Sequence, residues 1–454
     1  MTEMTTNPRS ISIQQPAVLH ERALEVMPDG VASFAQRQSP DQLYLSRAEG
    51  SRIYDIAGQA YIDYMVGAGA LVLGHRHPKI IAAVEQALEC GVPNIGVAEA
   101  QIVLAELLCQ YVPSIEYVRF LPTGNEAVQA AIRIARKATG RHLIAKFEGG
   151  YHGQSENVMV SVNAEKNARG HSDAPERVPY HCELPDPVIE QTLILPFNDL
   201  PGTTSLIDQF ADEIALVVIE PVLGFAGAIP AEKSFLEGLR KLTTRYGIVL
   251  VYDEIITGFR LAMGGGQELY DVLPDLTVLG KAIGGGMPIA AVGGRRDIME
   301  WTSVDLHPED YVFQSGTFSA FPMSVAAGVA TIETLARERL VDSVNEMGTL
   351  IRDGLVRLYR ERRIAAQVTG VGSVFHVHFT RDEVRDARTA EDADQNLINE
   401  LHSRVLKRGI YFYQGRLGWL SSAHSGDDIG YTLDIFGTVV DEMVEEGKFD
   451  TLRI

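Results

Sequence analysis

The feature that most constrains this chain is a repeated order of elements between residues 117 and 280: a short apolar run, a turn rich in glycine or charge, then a stretch with helical spacing. EYVRF is followed by EAVQAAIRIARKAT, HLIAKF by a loop, IALVVI by FLEGLRKLTTRY, GIVLVYD by a second loop, and LTVLG by a glycine turn. Strands covered by helices on both faces read as continuous apolar runs, so the order predicts an α/β fold with a mostly parallel central sheet. LYLSRAEG and RIYDIAGQAYIDYM alternate like strands of a small edge sheet. Beyond residue 324, SVAAGVATIETLA and VNEMGTLIRDGLVRLYRERR read as helices, VTGVGSVFHVHFT and IYFY as strands, and NLINELHSRVLKRG and residues 427–446 as helices.

The organisation expected is an N-terminal segment, 1–67, that joins a smaller α+β lobe, a large lobe, 68–325, and a C-terminal portion, 326–454, that holds the connecting helix and completes the small lobe. Residues 1–18 read as a loose arm. Residues 157–192 are polar and rich in Pro, Asn and His, a surface excursion that either borders an active-site mouth or is decoration. Sixty acidic against 40 basic residues give a net charge of -20, which disfavours a broad nucleic-acid footprint. The first ten residues lack the apolar core of a signal peptide, and no apolar run is long enough to span a membrane, so a cytoplasmic location is expected. Cys90, Cys109 and Cys182 are widely spaced without a CxxC pair; they fit reduced, mostly buried thiols, and no metal site is expected.

Chemistry concentrates in six segments, FLPTGNEAVQAA from Phe120, FEGGYHG from Phe147, VIEPVLG from Val218, VYDEIITGFR from Val251, LGKAIGGG from Leu279 and QSGTFSAFP from Gln314. Each lies at the carboxyl end of an expected strand or directly before a helix, where open parallel sheets place their ligands. The set suits pyridoxal 5'-phosphate (PLP), which needs an imine-forming lysine, an acid under the pyridine nitrogen, a flat lining and an anion cradle. Lys281, between an apolar strand and glycines, fits the first need; the competing reading is a surface lysine at a strand end. Asp253 fits the second, because a charge ending a buried strand is costly without a positive partner. Asp253 or Glu254 could instead cap the following helix, while a Walker B role fails for want of a GxxxxGK[ST] loop. Thr123, Gly124 and Asn125, before a helix expected from about Glu126, can cradle a phosphate with unpaired N–H groups, or Thr123 can simply act as the N-cap. Thr317 offers a second hydroxyl. Tyr151 and His152 provide an aromatic lining, Glu220 a carboxylate near the cofactor's oxygen, and Ile255 an apolar contact for the other ring face.

These segments, with YIDY around Ile62, LGHRHP at Leu73 and GKAIGGGMP at Gly280, resemble the class III, fold type I PLP enzymes over most of the chain, from Met27 to His424. The similar branch is that of glutamate-1-semialdehyde aminomutase and the β-phenylalanine and D-phenylglycine aminotransferases. The resemblance implies a homodimer with active sites at the interface, Thr317 reaching the partner's phosphate. It implies that Lys281 carries the cofactor and moves the proton, that Asp253 pairs with the pyridine nitrogen, and that Tyr151 stacks on the ring.

Two departures stand out. Thr123-Gly124-Asn125 replaces the family's SGT, which alters the side chains at the phosphate. Where aminomutases and the D-phenylglycine enzyme carry a carboxylate-binding arginine, this chain holds Gln36 with Arg37 beside it, and on a strand that offset faces the other way. Arg416 resembles the α-carboxylate binder of β-phenylalanine-type enzymes, its planar fork suiting bidentate recognition; a surface ion pair is the alternative. Phe34, Tyr411, Phe412, Tyr413 and Trp419 suggest an apolar substrate, with only a subset of 411–413 able to face the site. The expected activity is transamination between an amino acid and a 2-oxo acid through pyridoxamine phosphate. An aminomutase, a racemase and a catalytically lapsed PLP-binding protein are the alternatives.

Overall fold

The structure is a computed structural model that describes residues 15–38, 42–93, 95–181 and 183–454. Most of the N-terminal arm and Cys182 lie outside those residues. Seven strands form the central sheet: β1 (Tyr117–Leu121), β2 (Leu143–Phe147), β3 (Thr192–Leu195), β4 (Ile214–Ile219), β5 (Val249–Asp253), β6 (Leu276–Leu279) and β7 (Ala290–Gly294). Their order is β1-β7-β6-β5-β4-β2-β3. All neighbours run parallel except β7, which is antiparallel to both β6 and β1. β4 and β5 are buried along their whole length, and their Val, Leu and Ile side chains suit a pleated surface covered on both faces.

Helix α1 (Gly124–Thr139) lies across this sheet. Its buried face is mostly alanine and isoleucine, which permits close packing, and it stops at Gly140 in a left-handed conformation with φ +70°. The chain leaves the large lobe through α2 (Pro322–Glu338) and α3 (Leu340–Glu361), separated only by Arg339 at φ +53°.

The smaller lobe is built from both ends of the chain. Leu45–Glu49, Arg52–Asp55 and Ala60–Asp63 pair in sequence, and Ile410–Tyr411 adds in parallel to Ala60–Asp63. A second small sheet joins Gln367–Thr369, Val374–His378 and Gly418–Trp419. One apolar cluster unites them, with Ile62 and Tyr64 from the start of the chain against Ile351, Phe375, Phe412 and Phe436.

Several expectations need correcting. The run IYFY pairs only over Ile410–Tyr411. Phe34–Gln36 is a 3₁₀ turn rather than a strand, so face alternation does not separate Gln36 from Arg37. Within the polar excursion, Val158, Val160 and Val162 are buried, and its last residue, Thr192, opens β3, a sheet strand the sequence pattern did not announce. Cys90 and Cys109 are exposed rather than buried. Among the described residues no helix is long and apolar enough to cross a membrane.

Candidate active site

Asp253 is the last residue of β5 and 4% exposed. Its Oδ2 lies 2.8 Å from His152 Nδ1, and Oδ1 accepts the Ile255 N–H at 3.1 Å. Burial lowers the pKa of His152 although hydrogen bonding to Asp253 opposes the shift, which favours a neutral ring whose Nδ1–H points at the carboxylate. His152 Nε2 is left buried without a partner. Among the described residues Asp253 has no lysine or arginine ion pair, which leaves a buried carboxylate able to accept from a cationic N–H. Helix capping falls to its neighbour: Glu254 accepts the N–H groups of Gly266 and Gln267 at 2.7 and 2.9 Å.

Lys281 follows β6 at φ +44°, a left-handed conformation that costs about 1–2 kcal/mol outside glycine and gathers at functional sites. Burial pushes its amine down to about 8, aided by the Arg260 guanidinium and opposed by Glu220 and Asp253. Its Nζ lies 5.9 Å from the Trp419 ring centroid. Glu220, just past β4, accepts the Tyr151 N–H at 2.9 Å and the Gly224 N–H at 3.0 Å, pinning two loops together. Burial, then the charge of Asp253, raises its pKa.

At the opposite end of the site, Thr123 is the N-cap of α1: its hydroxyl accepts the Glu126 N–H while Glu126 accepts the Thr123 N–H, each at 3.3 Å. The capping alternative therefore describes the Thr123 side chain. Asn125 Oδ1 accepts the Gln154 N–H at 2.8 Å and so holds the loop after His152. What remains toward a phosphate is the first turn of α1, starting at Gly124, two residues earlier than expected, with its unpaired backbone N–H groups. A Cβ on Gly124 would come 2.5 Å from Ile255 Cδ1, so glycine is what lets Ile255 lie against this turn. The open helix start, the unpaired buried carboxylate and the lysine of depressed pKa together fit PLP.

The Tyr151 ring stacks on Phe225, at 5.5 Å between centroids and 21° between planes. Arg416 lies 3.9 Å over that Phe225 ring and donates to the Phe225 carbonyl at 3.0 Å. Among the described residues Arg416 forms no ion pair, so the surface ion-pair alternative does not hold. It lines a cleft of about 780 Å³ together with Arg37, Phe34, Tyr413, His376 and Glu391. Arg37 and Gln36 are both exposed, but only Arg37 lines the cleft, since Gln36 accepts the Ala32 N–H instead. Of the five aromatics expected near the mouth, Phe34 and Tyr413 line the cleft, whereas Phe412 and Trp419 belong to the core. Thr317 is exposed.

Three residues with no role assigned from sequence belong to this region. Arg260, 1% exposed, donates to Ser373 Oγ, the Leu420 carbonyl and the Gly69 carbonyl, joining the loop after Asp253 to the small lobe. Lys146, wholly buried in β2, donates to the Val160 carbonyl at 2.7 Å, and burial pushes its pKa down to about 7. Phe225 is the third. A charge inside an apolar strand, as in HLIAKF, was the one visible signal for Lys146.

Comparison with known proteins agrees with this geometry. The sequence pattern of the family Aminotransferase class-III matches residues 33–415. Glutamate-1-semialdehyde 2,1-aminomutase of Methanopyrus kandleri is 38% identical over 427 residues, covering 94% of this chain and 97% of that protein. The crystal structure of an ω-transaminase from Sphaerobacter thermophilus superposes with a TM-score of 0.90 at 36% identity, over 96% of this chain and 98% of the other. A β-phenylalanine aminotransferase from Variovorax paradoxus gives a TM-score of 0.84 at 31% identity, over 95% and 94%. With its fold, its lysine and aspartate at the strand ends and this shared length, the chain belongs to the class III aminotransferase family of PLP-dependent enzymes.

Proposed function

We propose that this enzyme is a transaminase that moves an amino group between an apolar or aromatic amino acid, β-amino acids included, and a 2-oxo acid, with Arg416 receiving the carboxylate. The observation that carries this reading is Arg416 itself, a half-buried guanidinium without an ion pair among the described residues, opening on the cleft beside Phe225. A planar, partly desolvated cation of this kind is suited to a bidentate carboxylate. Arg37, exposed at the cleft, is a second candidate for a carboxylate group, and Gln36 at most shapes the turn that presents it.

When bound, PLP supplies an aldehyde carbon that takes up the amino group and a ring that withdraws electrons from the reacting carbon. Lys281 Nζ would hold that carbon and, when free, would be the base that moves the proton of the carbon bearing nitrogen. Asp253, oriented by His152, keeps the pyridine nitrogen protonated. Gly124 and Asn125 offer backbone N–H groups to the phosphate, Thr123 sets the start of their helix, and Ile255 and Tyr151 flank the ring. Glu220 fixes the Tyr151 loop. Thr317, exposed beside Phe313 and Phe318, fits a homodimer in which it reaches the other subunit's phosphate. The division into 1–67, 68–325 and 326–454 and a cytoplasmic location complete the reading.

The name of the M. kandleri relative favours a second reading, an intramolecular aminomutase; Gln36 in place of the expected arginine weighs against it. Visible spectroscopy separates the two. Holoenzyme is mixed with single amino acids in the absence of oxo acid. A transaminase loses the absorption of the lysine-bound cofactor and regains it when a 2-oxo acid is added. Isomerised substrate with the absorption retained would overturn transamination in favour of the mutase or a racemase.

A further inference from the structure

Phe225 follows the glycine of VIEPVLG and caps the tight turn between Val222–Leu223 and Ile229–Pro230. The turn is closed by the Gly227 N–H donating to the Gly224 carbonyl, and the Gly224 N–H is in turn fixed by Glu220. Glu220 also holds the Tyr151 N–H, so the loops bearing Phe225 and Tyr151 are tied to one carboxylate. Three other groups converge on the half-buried Phe225 ring. Tyr151 stacks on it, Tyr180 meets it edge-on at 6.0 Å, and the Arg416 guanidinium lies 3.9 Å from its centroid. The Arg416 Nη1 is further anchored on the Phe225 main-chain carbonyl.

A half-buried guanidinium has lost part of its hydration and needs a compensating partner, and among the described residues no acid supplies it here. Burial accordingly lowers the pKa of Arg416, with Tyr413 and Tyr180 beside it working in the other direction. The π-face of Phe225 takes over part of that role. The other donors of the fork meet the Tyr180 hydroxyl and the cleft rather than an acid, so the cation stays unneutralised.

We propose that Phe225 is a specificity-determining residue: its ring holds Arg416 in place and unneutralised beside Tyr151, and so sets the preference of the site for carboxylated over carboxylate-free amines. The inference rests on the reading that Arg416 receives the carboxylate. The ring acts on selectivity because an aliphatic side chain would fill similar space yet leave the cation without its quadrupole partner. A flexible arginine would then spread over several rotamers, and each carboxylate bound would have to order it.

The test compares kcat/KM for 3-amino-3-phenylpropanoate with that for 1-phenylethylamine, an amine with the same aryl group and no carboxylate. Holoenzymes of the natural sequence, Phe225→Leu, Phe225→Tyr and Arg416→Gln are measured, each shown to carry the cofactor by its visible absorption; Phe225→Met replaces the leucine variant if that one does not load. The expected result is that Phe225→Leu lowers the carboxylated-to-uncarboxylated ratio on the order of tenfold, through KM for the acid, whereas Phe225→Tyr keeps the ratio. Equal losses on both substrates with Phe225→Leu would reduce the ring to a structural element and overturn the proposal. If Arg416→Gln lowers the ratio and Phe225→Leu does not, only the role of Phe225 falls. If Arg416→Gln leaves the ratio unchanged, the carboxylate reading falls and takes this inference with it.

Discussion

At the scale of single residues, the site is shaped by groups whose titration burial has displaced from its ordinary range. Lys281 is the clearest case, its amine pushed down to about 8 by desolvation with Arg260 nearby, despite two carboxylates that act against the shift. Only a neutral amine attacks an aldehyde, and the neutral fraction of a group with a lowered pKa is reached earlier as pH rises. Cofactor capture by the PLP-free protein is therefore expected to quicken with pH up to about 8 and to level off above it. An ordinary lysine, titrating near about 10.4, would still be climbing there. Stopped-flow absorbance across that range checks the point, and a rate that keeps climbing toward about pH 10 would refute the shift.

At the scale of elements, the position of Lys281 depends on α2 as much as on β6. Gly328 of α2 lies over the turn Lys281–Gly284, and a Cβ at this place would run into the Ile283 carbonyl oxygen. Backbone atoms cannot yield as the tip of a side chain can, so Gly328→Ala must lift the helix or shift the turn. Overpacking of this kind costs about 1–3 kcal/mol. A lower urea midpoint is expected, together with a kcat reduced more than KM, because the displaced turn carries the reacting amine. An unchanged midpoint and unchanged kinetics would show that the turn is held independently of α2. Glu254 makes a similar point: the sequence left open whether Asp253 or Glu254 was the cap, and the fold divides the work, sending one carboxylate to the loop and the other to the site.

At the scale of the molecule, the two lobes are fastened across the mouth of the cleft. Arg388, on the small-lobe helix Ala387–Glu391, grips Glu148 bidentately, Nε and Nη2 donating to its two carboxylate oxygens at 2.6 and 3.1 Å. It also donates to the carbonyls of Arg169, Gly170 and His171 in the polar excursion. Arg169 pairs with Glu391, and Lys166 with Asp392, along the same edge. The Arg388–Glu148 pair is largely buried, and removing one partner strands the other charge, at a cost of roughly 3 kcal/mol. Arg388→Ala is expected to lower the urea midpoint and open residues 165–171 to limited proteolysis; a variant as protease-resistant as the natural chain would show that the excursion is fastened elsewhere.

The sequence by itself determined the strands that lead to Glu220, Asp253 and Lys281, the α/β order and the entry of both chain ends into the small lobe. Local apolar runs, glycine turns and helical spacing suffice for that, since each is set by neighbours a few residues apart. Tertiary structure alone decided the antiparallel β7, the assignment of Thr123 to capping, and the half-buried chain of Tyr151, Phe225 and Arg416. Those depend on which distant segments meet: Tyr151 finds Glu220 across 69 residues, and Arg416 finds the Phe225 carbonyl across 191. A half-buried phenylalanine carries no periodic signature, and an arginine reads alike from sequence whether it ends on a carboxylate or on a ring. The contact that distinguishes these cases exists only once both lobes have closed around it.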